Sequence, residues 1–152
     1  MEWSTLLGTA LGATAGLGAA VLSERARWSL GRNDRKRDVL KTSYIGFLTN
    51  VTKAGEQVWH AAREHGPGWK DSILTALRDN DVNAARFSLS LEAPTGVRKC
   101  ADELIAAFVA WRDIAHAGSR KGDEAFDQAW QKFGASRNAL VDAMRLTLEP
   151  VA

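Results

Sequence analysis

The side chains best able to hold a metal or carry a proton are His60, His65 and His116, with the carboxylates spaced around them. Glu56, His60 and Glu64 recur every four residues and share one helix face. Asp113 stands three residues before His116, the carboxylate-x-x-His spacing that metal sites in helical bundles use. Those sites draw on two Glu-x-x-His elements and two further inward carboxylates, whereas this chain has one element, with Asp. Neither order of the zinc-peptidase helix, His-Glu-x-x-His or its inverse, occurs, so these groups read as solvated polar faces. Cys100 can form no internal disulfide; it lies beside an apolar stripe with no histidine near it in sequence and reads as a space-filling thiol. No phosphate-cradling Gly-x-x-x-x-Gly-Lys-Ser/Thr and no Gly-x-Ser-x-Gly elbow is present. The expectation is a protein that is not an enzyme, with no catalytic residue, metal or cofactor.

The elements around these residues carry more information. A chain of 152 residues, 45% hydrophobic and 25% charged, has the core of one domain plus an appendage. Its net charge of +2 is too small for a dedicated nucleic-acid binder, and no nucleic acid is expected. That charge is unevenly placed: residues 1–23 carry −1, residues 24–41 carry +4 and residues 42–152 carry −1.

The uncharged run is Trp3 to Ser23, twenty-one residues without proline. At about 1.5 Å per residue it forms a helix as long as the roughly 30 Å hydrocarbon layer of a bilayer. Trp3 and Trp28 suit the headgroup level at its two ends. Arg25, Arg27, Arg32, Arg35, Lys36, Arg37 and Lys41 all follow the run, and no Lys or Arg precedes it. The positive-inside rule then puts the N-terminus outside the cytoplasmic membrane and residues 24–152 in the cytoplasm, with the basic residues facing anionic lipid. A cleaved secretory signal is the competing reading, but its positive charges precede the apolar stretch. A helix buried in a soluble assembly is another, since much of the run is Ala, Gly, Thr and Ser. Gly8, Gly12, Gly16 and Ala20 recur every four residues; on a helix they form a small-residue face that favours self-association as a homo-oligomer.

The remainder reads as helices. Gly31-Arg32-Asn33-Asp34 reads as a hinge. Leu40, Tyr44, Phe47, Val51, Ala54, Val58 and Ala61 then alternate spacings of four and three, one stripe of a helix from about Arg35 to His65 that Gly66-Pro67-Gly68 ends. Ile73, Ala76 and Leu77 begin a second helix that Asp79-Asn80-Asp81 interrupts, with one of these short polar residues capping the next segment. Val82, Ala85 and Leu89 continue at helical spacing, although Arg86 to Leu91 also alternates like a strand; lack of a sheet partner favours helix. Val97, Ala101, Leu104, Phe108, Trp111 and Ala115 mark a third helix. Phe126, Ala129, Phe133, Ser136, Leu140, Ala143 and Thr147 mark a fourth, from about Asp123 to Leu148. Trp59 and Trp69, off the stripe or beside a turn, read as caps on the bundle end, with contact of one of them to a partner as the competing reading.

The predicted architecture is all-α: an N-terminal transmembrane helix followed by an up-and-down antiparallel bundle of about four helices, the second broken. The segments are a transmembrane anchor over 1–28, a basic juxtamembrane stretch over 29–41 and a cytoplasmic bundle over 42–152. The four-three spacing favours packing at about 20° and is compatible with closure of the bundle within one chain or between chains.

The feature order resembles a group of uncharacterised actinobacterial single-pass membrane proteins. It has a short Gly-rich span, an Arg-rich exit (Glu24-Arg25-Ala26-Arg27-Trp28 and Gly31 to Asp38), Tyr44-Ile45-Gly46-Phe47-Leu48, and Leu89-Ser90-Leu91-Glu92-Ala93-Pro94 with Val97. The resemblance implies the architecture and brings no catalytic residues. The expected function is a membrane-anchored helical interaction or scaffolding protein whose partners are the bilayer, further copies of itself and an unidentified protein. A holin-like or toxin protein that perturbs membranes is one alternative. A small-ligand sensor using the bundle interior is the other.

Overall fold

In a computed structural model the backbone is described from Trp3 to Glu149 and side chains from Asp34 to Glu149. The described residues form five helices and no strand: α1 (Trp3–Glu64), α2 (Trp69–Asp79), α3 (Val82–Glu92), α4 (Thr95–His116) and α5 (Glu124–Leu148). The chain divides into two compact units, Met1–Val39 and Leu40–Ala152.

α1 is uninterrupted through 31–34, which corrects the expected hinge. A single helical glycine costs only about 1 kcal/mol against alanine, and without proline every backbone N–H from the second turn onward keeps its acceptor. α1 ends at Glu64, where His65 takes the left-handed conformation (φ 45°) and donates its N–H to the Ala61 carbonyl at 3.1 Å. The glycines that follow are therefore not the terminating residues; Gly68 (φ 74°) instead turns the chain into α2.

The break between α2 and α3 falls at Asn80 and Asp81. Asn80 caps backwards, its side-chain Nδ2 donating to the Ala76 carbonyl at 2.8 Å, while Asp81 adopts φ 52° and makes no side-chain cap to α3. A cap on the following segment, expected from the sequence, is thus replaced by one on the preceding helix. Residues 82–91 are helical. The strand-like alternation there comes from Leu89 pointing into the core while Phe87 and Leu91, four residues apart, face outward.

The core of the second unit is a helical bundle. Tyr44, Phe47, Val51, Ala54 and Val58 are buried as the periodicity predicts, and Leu40 packs at its edge. At the far end Ala62, not Ala61, is the buried residue, because an unsupercoiled helix of 3.6 residues per turn drifts off a strict four-three pattern. All six stripe residues of α4 are buried. In α5 Phe126, Phe133, Leu140 and Met144 are buried, while Ala129, Ala143 and Ser136 lie at the margin. α5 runs antiparallel to α1: Tyr44 Oη meets Thr147 Oγ1 at 2.9 Å, Gly55 lies against the Phe133 ring and Trp59 lies against Phe126. Thr147 donates onward to the Met144 carbonyl at 2.7 Å, so Tyr44 is the donor to Thr147.

Candidate interaction surface

Two regions of the bundle bring chemically able side chains together. The first is a groove of about 660 Å³ between α3 and α4, whose walls include Asn83, Arg86, Phe87 and Ser90 on one side and Arg98 and Asp102 on the other. Its cations are engaged. Arg86 donates through Nη2 to Asp102 Oδ1 at 2.7 Å, Arg98 donates to Thr95 Oγ1 at 2.9 Å, and Lys99 faces Glu103 at 4.0 Å. Phe87 on its wall and Leu91 one turn further along α3 are 67% and 72% exposed, an apolar pair that water solvates at a cost of about 1.5–3 kcal/mol per side chain relative to full burial.

The second is an aromatic cluster at the end of the bundle near the α4–α5 connection. Trp111 is fully buried, its ring 4.8 Å from Trp130, 5.6 Å from Phe133 and 5.7 Å from Phe126. Half-buried Trp59 continues the stack outward, 4.9 Å from Trp130 and 5.7 Å from Phe126, so it closes the cluster as a cap. Trp69 stacks on His65 at 4.0 Å. Removal of the ring from water, with Arg120 and then Lys70 adding their positive fields, holds His65 below the usual imidazole range. Its Nε2 is buried without a protein partner.

Between α1 and α2 the Gln57 amide acts as a clasp. It donates to the Ser72 carbonyl at 2.8 Å and to Asp79 Oδ2 at 3.2 Å, and accepts from Asn80 Nδ2 at 2.8 Å. Hydrogen bonds from Thr75 and Gln57 hold the Asp79 carboxyl below the usual carboxylate range, Arg78 adds to this, and burial opposes it.

The remaining residues singled out by sequence fall as follows. Gly8, Gly12, Gly16 and Ala20, with Arg25, Arg27 and Arg32, lie outside the residues whose side chains are described. Arg35, Lys36 and Lys41 are exposed and Arg37 is half-buried. His60 lies on an exposed face, 3.9 Å from Glu64, and Asp113 is held by Arg112 at 2.7 Å rather than directed at His116. Among the residues whose side chains are described no three metal-ligating groups converge, and no helix is long and apolar enough to cross a membrane; the side chains of Trp3–Ser23 lie outside that set. Cys100 is half-buried against the core. Sequence reasoning missed the groove; its trace was Phe87 and Leu91, an apolar i, i+4 pair off the core stripe.

No protein-family model matches the chain, and neither a curated protein nor a solved structure does.

Proposed function

We infer that the chain is a membrane-anchored helical interaction protein: residues 3–23 sit in the bilayer, the basic residues from Arg25 to Lys41 meet anionic headgroups, and the bundle presents a docking face to other proteins. One observation carries this reading, the twenty-one-residue charge-free run followed over residues 24–41 by seven basic and three acidic side chains. The exposed Phe87 on the α3–α4 groove, with Leu91 one turn further along α3, supports the docking role, since a contiguous apolar patch rimmed by polar residues suits a protein interface. The Gly8, Gly12, Gly16 and Ala20 spacing supports self-association in the membrane.

Fractionation of cells expressing the full chain tests the anchor. Retention in the membrane pellet after an alkaline wash, with the bundle protected from protease added outside, is the expected result. Full-length protein in the supernatant without detergent overturns it. Crosslinking in membranes tests association separately: Gly12→Leu and Gly16→Leu are expected to deplete the oligomer, and unchanged populations remove that part of the reading.

A further inference from the structure

Beside the aromatic cluster lies a cleft of about 270 Å³ lined by Trp59, Ala62, Arg63, Arg120, Lys121 and Phe126. Its floor is apolar: Trp59 and Phe126 sit 5.7 Å apart, with buried Ala62 leaving room beside them. Its rim is cationic, with Arg63 contributed by the last turn of α1, and Arg120 and Lys121 by the connection between α4 and α5.

The acids near this rim meet backbone, amide or imidazole nitrogens rather than its cationic side chains. Asp123 Oδ2 accepts the Arg120 backbone N–H at 2.7 Å, Asp127 Oδ1 accepts the Gly122 N–H at 3.2 Å, and Glu124 accepts from Gln128 at 2.9 Å. Glu64 lies 3.9 Å from His60. Consequently none of Arg63, Arg120 and Lys121 is ion-paired among the described residues. In the α3–α4 groove, by contrast, Arg86 and Lys99 each face a carboxylate. The Lys121 ammonium is already drawn to 5.6 Å from the Trp59 ring, the geometry of a cation held by an aromatic face. Three like charges around one small apolar depression repel each other, and an anion seated among them removes that repulsion.

We propose that this cleft binds a small aromatic anion, its ring lying against Trp59 and Phe126 and its carboxylate or phosphate held by Arg63, Arg120 and Lys121. The volume admits one or two fused rings with a single acidic group. Guanidinium groups suit either acid through paired N–H donors, so the cations select charge and the floor selects the ring. This site is independent of the membrane reading, because every lining residue belongs to the bundle.

The test is a calorimetric titration of the full-length protein in detergent with indole-3-acetate, alongside indole, acetate and inorganic phosphate. Indole-3-acetate is expected to bind at least about ten-fold tighter than indole, which lacks the charge, and than acetate and phosphate, which lack the ring. Arg63→Gln, Arg120→Gln and Lys121→Gln lie on the surface and leave the core intact. Each is expected to weaken binding about three- to ten-fold, and raised salt to weaken the wild-type complex. Indole-3-acetate binding no tighter than acetate or phosphate, absence of binding at millimolar concentration, or full affinity in the triple Gln variant overturns the proposal.

Discussion

His65 and Trp111 show how single side chains set the bundle's response to pH and to mutation. The folded chain binds a proton at His65 less readily than the unfolded chain does. As pH falls through about 6.5 the unfolded state takes up the proton first, so His65's contribution to stability is complete above that value and is lost below it. His65→Asn keeps a residue that tolerates the left-handed backbone and removes the titration. Its loss of stability between pH 7.5 and 5.5, measured by urea unfolding, is expected to be smaller than that of the wild type; an equal loss would contradict the assignment. Asp79 has the same sign at lower pH: its contribution is present above about pH 4 and disappears as the carboxyl protonates. Trp111 fills the centre of the aromatic cluster, yet its buried Nε1 finds no protein acceptor. Trp111→Ala opens a cavity and is expected to cost about 3–5 kcal/mol. Trp111→Phe loses part of the ring but also an unsatisfied donor, and is expected to cost less than about 1.5 kcal/mol in the same unfolding assay.

Among the elements, α1 and α5 meet where Gly55 lies against Phe133. A Cβ added at Gly55 would lie 3.6 Å from the Phe133 ring and 4.0 Å from Trp111, ordinary contact distances. Gly55→Ala is therefore expected to stabilise the bundle by about 0.5–1 kcal/mol through helix propensity alone. Gly55→Leu must displace both rings and is expected to destabilise by about 1–3 kcal/mol. Paired denaturant midpoints check the reversal of sign; destabilisation by alanine would show that the rings are already in tight contact. The polar clasp at Gln57 works at the same level, tying α1 to Ser72, Asp79 and Asn80 where α2 stops. It gives the short α2 a fixed register that its own two buried side chains, Ile73 and Ala76, supply only weakly.

For the molecule as a whole, the division at Leu40 makes a further prediction. The buried set from Tyr44 to Met144 is contiguous and contains no charged residue, so residues 40–152 hold one continuous core of their own. A fragment covering 40–152 is expected to unfold cooperatively with a thermal midpoint within a few degrees of the full chain's, and to stay in solution without detergent. Broad, non-cooperative melting would mean that residues 1–39 complete the core. The fragment also separates the two functional readings: it should lose membrane retention and keep the affinity of the cationic cleft.

Helix content and the inward residues of α4 and α5 were legible in the sequence because a 3.6-residue period is local: Leu104, Phe108 and Trp111 declare a shared face whatever packs against it. The caps were less legible. Whether His65 or Gly66 turns the left-handed corner, and whether Asn80 bonds backward or Asp81 forward, depends on carbonyls that become available only when the neighbouring turn is set. The candidate surfaces were least legible. Arg63 and Arg120 are separated by about half of the bundle in sequence, and only the antiparallel return of α5 beside α1 brings Phe126 under Trp59 and places Arg63, Arg120 and Lys121 around one cleft. Composition and periodicity thus determined the helices and their buried faces, since both are properties of a few neighbouring residues. Packing decided which exposed charges share a site, since that is a property of distance in space.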